Sequence, residues 1–273
     1  VHGEASLRSE RDVQIAFSSR IQAAGAEGLQ NGICFFKVSS LLDENSRLAE
    51  TLADPAGQVE AKQKLVKSIF AGSNIEKLVL EILDKIVSLP WSAPEDIADI
   101  VEDLGVSCIL AASDAAGQTD EVATQLADIN SAILNHPIVR QHLSDTHVSS
   151  ETRVQFWRNL FADAHLNQYT VVLAEHATTD LRGRKYVSAI EWLIKKISEH
   201  KNRYVVQITC AAHLTQEQQN RLINIYTRKL NHSVHLDITV DPTVLGGMRI
   251  QCGADVTDTT VVAQLENLRK ALR

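Results

Sequence analysis

Two periodicities divide this chain. Up to about residue 202 the apolar positions recur every three or four residues, as on one face of a helix, and from Arg203 they alternate. Ile129, Ile133 and Leu134 share one face of a helix predicted from about Glu121, and Val154, Trp157, Leu160 and Phe161 repeat the spacing on the next. Between them, Asp145 to Ser150 breaks the pattern, and Ser149 or Ser150 can cap the second helix. In LPWSAPEDIADI, Pro94 suits a first helical turn, and Glu95 and Asp96 would lie near the positive end of the helix dipole. A long helix is expected from there through Ile97, Ile100, Val101 and Leu104 toward Ile109.

The helical part repeats itself. Sliding the chain by 91 residues brings Leu52 onto Leu143, Asp54 onto Asp145, Glu60 onto Glu151, Phe70 onto Phe161 and Ala71 onto Ala162. Similar apolar pairs include Phe35 with Leu126, Val38 with Ile129, Leu42 with Ile133, Leu65 with Phe156, Ile69 with Leu160 and Ile75 with Leu166. A duplicated core leaves this trace, because packing constrains buried positions while exposed ones drift.

The remainder alternates. Val206, Ile208 and Cys210 share one face of a strand, as do Val234, Leu236, Ile238 and Val240, and the helix between them has Thr215 as its cap and Leu222, Ile225 and Leu230 turned inward. A strand, a crossover helix and a strand predict a parallel pair. A third strand follows with Met248, Ile250 and Cys252 on one face, then a closing helix from about Asp258 carrying Val261, Leu265, Leu268 and Leu272. The fold expected is mainly α with a small α/β C-terminal module. Its divisions are an N-terminal helical bundle over 1–103, a second bundle over 104–202, and a strand-helix-strand-strand-helix unit over 203–273.

Composition narrows the chemistry. A net charge of −7 and a pI near 5.8, without a long basic stripe, disfavour nucleic acid as a partner. Cys34, Cys108, Cys210 and Cys252 are far apart and form no CxxC, which fits a reducing cytoplasm. The opening VHGEASLRSERDVQIAF lacks the apolar centre of a secretory signal and predicts a helix. No apolar run reaches the roughly 20 residues needed to span a bilayer.

Candidate sites reduce to bland features. Gly246 and Gly247 lead into a strand, not a helix, and no Lys followed by Ser or Thr comes after them, so they fit a strand-entry turn better than a phosphate loop. His136, His142 and His147 lack the spacing of helical metal ligands, and His232 and His235 fall on opposite faces of a strand. The acidic residues Glu95, Asp96, Asp99, Glu102 and Asp103 are expected on a solvated helix face. The basic stretch RGRKY, from Arg182 to Tyr186, is expected as a solvated loop, with contact to an acidic partner as the alternative. No catalytic group, cofactor site or metal site is expected.

One motif carries a resemblance. Val234, Leu236, Val240, Asp241, Val244, Gly246, Gly247, Met248, Ile250, Gln251 and Gly253 resemble the C-terminal motif of the δ subunit of bacterial F-type ATP synthases, related to the mitochondrial oligomycin-sensitivity-conferring protein. Asp255, Asp258, Val262 and Leu265 are similar to the family's closing segment, and CILAASDAAGQTDEVATQLADINSAILNHPIVRQHLSD to its first bundle helices. The extra first copy resembles that of elongated δ subunits. The resemblance implies a non-catalytic stator subunit on the cytoplasmic face of the plasma membrane, which meets the membrane only through the complex. Its helical bundle would hold the α subunits of the catalytic head, and its C-terminal module the b stalk. It further implies a groove between the first and fifth helices of the second copy, where Val106, Ile109 and Leu110 face Tyr169, Val172 and Leu173. The alternative from the residues alone is a general helical adaptor unrelated to ATP synthase.

Overall fold

Helix starts follow the polar punctuation. Ser149 Oγ accepts the Thr152 N–H at 3.3 Å and opens a helix at Ser150. Thr215 Oγ1 accepts the Gln218 N–H while Gln218 Oε1 accepts the Thr215 N–H, so two otherwise orphaned donors are satisfied reciprocally. Pro94 takes a first helical position, and the Asp96 carboxylate accepts the Ala93 N–H at 3.1 Å.

The computed structural model describes residues 3–71, 75–202, 205–230, 234–244, 246–252 and 255–260. Its first six helices are α1 (Glu4–Ala23), α2 (Gly28–Glu44), α3 (Ser46–Ala53), α4 (Val59–Ile69), α5 (Lys77–Ile86) and α6 (Pro94–Ala115). Then come α7 (Thr119–Leu134), α8 (Pro137–Leu143), α9 (Ser150–Leu160), α10 (Gln168–Thr179) and α11 (Tyr186–Asn202). The C-terminal elements are β1 (Val205–Cys210), α12 (Gln216–Leu230), β2 (His235–Val240), β3 (Met248–Cys252) and β4 (Asp255–Asp258). Among the described residues, no helix is long and apolar enough to cross a membrane.

The chain divides into a unit of Val1–Ile197 and one of Ser198–Arg273. In the first, the sequence repeat is also a structural repeat. α4 and α9 begin at Val59 and Ser150 and end at Ile69 and Leu160, 91 residues apart at both ends; α5 and α10 begin at the same separation. Lys62 and Arg153, again 91 apart, are both buried cations. Arg153 satisfies four carbonyls, those of Thr178, Thr179, Asp145 and Val148, and so closes the C-terminal end of α10.

Each repeat has its own apolar core, and α6 belongs to both. Leu104, Cys108 and Ala111 pack with Val13, Phe35, Val38, Ile82 and Ile86. Val106, Ile109, Leu110 and Ala112 pack with Leu126, Ile129, Trp157, Leu173 and Tyr186. The helix is therefore apolar nearly all round in its second half, as a helix between two cores must be. The expected boundary at residues 103 and 104 falls inside it.

The second unit is a four-stranded sheet in the order β2-β1-β3-β4, with β1 parallel to β2 and antiparallel to β3. Val206, Ile208, Tyr226 and Ile250 form its core, and Leu222, Met248 and Cys252 pack against it. β4 is a strand the sequence did not lead us to expect: it pairs antiparallel with β3, and its one apolar residue, Val256, is exposed, so no alternation announces it. The helix expected from about Asp258 lies, past Thr260, outside the described residues. Ile225 is a correction. It is exposed, because α12 turns Leu222 and Tyr226, one turn apart, to the sheet. In the helical unit Leu134 and Leu160, expected on core-facing stripes, are exposed ends of α7 and α9. Val261, Leu265, Leu268, Leu272 and Gly253 lie outside the described residues, as does the Leu230 side chain.

Candidate functional site

The six residues expected to line a helix-binding groove lie where α6 faces α10. Val106, Ile109, Leu110, Tyr169 and Leu173 are buried in the second core, and Val172 is half-buried. The first five are thus not an open groove. What covers the seam is α2, a helix of the first repeat.

α2 lies antiparallel along α6 at very close range. A Cβ on Gly28 would stand 2.5 Å from the Cys108 carbonyl oxygen, and one on Gly105 would stand 2.7 Å from the Phe36 ring. Gly32 meets Ile109 and the Gly105 carbonyl with the same lack of room. Further along, Ser39 Oγ donates to the Ala98 carbonyl at 3.3 Å. Phe36 itself sits in the second core and stacks on His176 of α10, with ring centroids 3.6 Å apart and planes 3° from parallel.

Beyond Phe36 the seam becomes ionic. Glu102 of α6 is 2% exposed, and His176 Nε2–H donates to its Oε1 at 2.9 Å. Arg182, in the turn between α10 and α11, reaches Asp43 at 3.2 Å, Asp99 at 2.8 Å and Glu102 at 3.8 Å, and donates to Ser39 Oγ at 2.8 Å. Arg184 pairs with Glu102 and lies over the Trp192 ring. Ser40 Oγ donates to Asp180 at 3.1 Å.

Two expectations are corrected by this cluster. The acidic residues of α6 are not a uniformly solvated face: Asp96 and Glu102 are buried, and Asp96 also accepts from Ser6 Oγ at 2.6 Å. The RGRKY stretch is not a solvated loop either, since Arg182 and Arg184 turn inward to those acids. Burying either set alone would leave charge unpaired, and burying both together satisfies it.

The charges titrate accordingly. Burial pushes the Glu102 carboxyl up, but the hydrogen bond and charge of His176 and those of Arg184 outweigh it and hold it below the usual range. Burial pushes Asp43 up to about 6, with Arg182 pulling it down and Asp180, Glu102 and Asp99 adding to the rise. Burial alone pushes the Cys108 thiol up to about 12, and all four cysteines are free.

In the C-terminal unit the motif residues build a turn. Asp241 Oδ1 accepts from the Thr243 N–H and hydroxyl, and the Asp241 carbonyl accepts the Val244 N–H. Gly246 and Gly247 have φ of 68° and 77°, the left-handed region that favours glycine. The Thr259 carbonyl fills the place of a Gly247 side chain, and Thr260 Cα would be 3.0 Å from it. Met248 and Ile250 point to the sheet core, while Gln251 is exposed and stands opposite Val256 of β4.

Against known proteins, residues 107–272 match the family model described as ATP synthase delta (OSCP) subunit. A relative from Bifidobacterium longum subsp. infantis, named ATP synthase subunit delta, is 39% identical over all of this chain and 98% of its own. One of the same name from Bifidobacterium adolescentis is 40% identical over all of this chain and 99% of its own. Another from Beutenbergia cavernae is 30% identical over 98% and 97%. The first repeat lies before the family model but inside these full-length alignments, so these relatives share the extended form.

Proposed function

The chain belongs to the ATP synthase delta (OSCP) subunit family, and from that premise we propose that it is a non-catalytic stator, joining the α subunits of the catalytic head to the peripheral b stalk. The helical unit takes the α subunits and the C-terminal unit takes b. The protein sits peripherally on the cytoplasmic face of the plasma membrane, held there by the complex. The adaptor reading unrelated to ATP synthase falls with the family assignment.

The observation that carries the proposal is the family match through both the second repeat and the β1 to β4 module. The helical unit adds a physical reason. Holding a head still against a turning rotor needs an element that transmits torque without bending, and a close-packed interior resists such strain. α6, shared by two cores, suits that task.

Co-purification tests the reading. A tagged full-length chain, expressed in its own cells, should bring down α and b together. Recovery of the assembled synthase without this chain, with ATP synthesis still coupled, would refute it.

A further inference from the structure

We propose that α2 is a built-in docking helix, which fills the α6–α10 face of the second repeat from within the same chain and closes that face to any partner helix. An amphipathic helix laid in an apolar groove is a recurring mode of recognition. α2 meets α6 and α10 in this manner although it belongs to the other repeat. Cys34, Phe35, Val38 and Leu42 serve the first core, whereas Gly28, Leu29, Gly32 and Phe36, about a turn apart, serve the second repeat.

Three chemically distinct anchors hold it. Glycines at 28, 32 and 105 bring the two backbones together, Phe36 plugs the second core against His176, and Ser39, Ser40 and Asp43 close the seam against Arg182 and Asp180. An outside helix would have to match the glycine spacing and supply the aromatic plug, at a place already taken. α2 is also rooted in the first core, so lifting it would expose two apolar interiors at once. α-subunit helices are accordingly taken by surfaces other than this face.

The test needs no other subunit, so its failure is separate from that of the stator reading. Hydrogen exchange on the full chain should show α10 amides near His176 exchanging about tenfold faster or more in Phe36→Ala than in wild type. Leu41→Ala, whose side chain lines an apolar cavity of the first repeat with Leu48 and Ile69, should leave α10 unchanged. Equal α10 protection in Phe36→Ala and wild type would overturn the proposal, and Phe36→Leu serves the same comparison if the alanine variant does not fold. In a second measurement, a fluorescein-labelled synthetic peptide of residues 28–44 is titrated against the wild type. No change in anisotropy is expected; saturable binding would show an open face and overturn the proposal as well.

Discussion

Arg182 holds its backbone at φ 47°, a left-handed conformation that long side chains seldom adopt, while its side chain is 8% exposed and its guanidinium lies among three carboxylates. Such strain persists only where the surroundings impose it. Removing the cation would take the guanidinium from Asp43 and leave it beside Asp99 and Glu102, while Glu102 keeps Arg184 and His176, so Arg182→Ala should cost about 1.5–3 kcal/mol in urea unfolding. A loss below about 1 kcal/mol would show the cluster to be dispensable. Asp43 carries the pH dependence. Its folded pKa, about 6, lies above the ordinary 3.8, so its protonated form favours the fold and that stabilisation fades as pH rises through 6. Asp43→Asn should therefore gain stability relative to wild type as pH rises from about 4 to about 6, read as a difference in urea midpoint that grows over that range and is level above it. A difference flat over that range would contradict it. None of this cluster was legible in the sequence, because its charges come from positions such as Asp99 and Arg182, 83 residues apart, and spacing along the chain says nothing about such pairs. The acidic stretch of α6 and the basic RGRKY turn were each visible, but not their pairing.

At the scale of elements, helices and the central strands were legible because one side of each is buried and leaves a period. The 91-residue repeat likewise survived in core positions and in the buried pair Lys62 and Arg153. β4 was not legible, since four residues with one exposed apolar side chain make no period. The docking of α2 was hidden for a different reason: Phe36 and Phe35 are adjacent, and nothing in their order tells which core each enters. The turn before β3 depends on Gly247 twice, through its φ of 77° and through the Thr259 carbonyl that approaches it. Gly247→Val should thus destabilise the sheet by about 2–4 kcal/mol, the sum of backbone strain and a clash. Faster amide exchange in β3 and β4, with α10 unchanged, is the expected reading; unchanged exchange in β3 would dismiss it.

For the molecule as a whole, the boundary expected between residues 103 and 104 crosses a continuous helix, α6. Cutting at residue 103 would divide α6 and remove both α2 and Phe36 from the second core. A chain lacking residues 1–103 should therefore bind a hydrophobic dye and lose its cooperative thermal transition, rather than keep an intact second bundle. A sharp transition at the wild-type temperature would show that the second repeat stands alone. The shared helix also sets a phase. Because α6 ends one repeat and begins the next, each residue inserted in its middle would turn the later side chains by about 100° and advance them by about 1.5 Å. Loops elsewhere can absorb a change in length, but α6 cannot, so the interval between the two bundles behaves like a gear tooth count and admits no gradual drift.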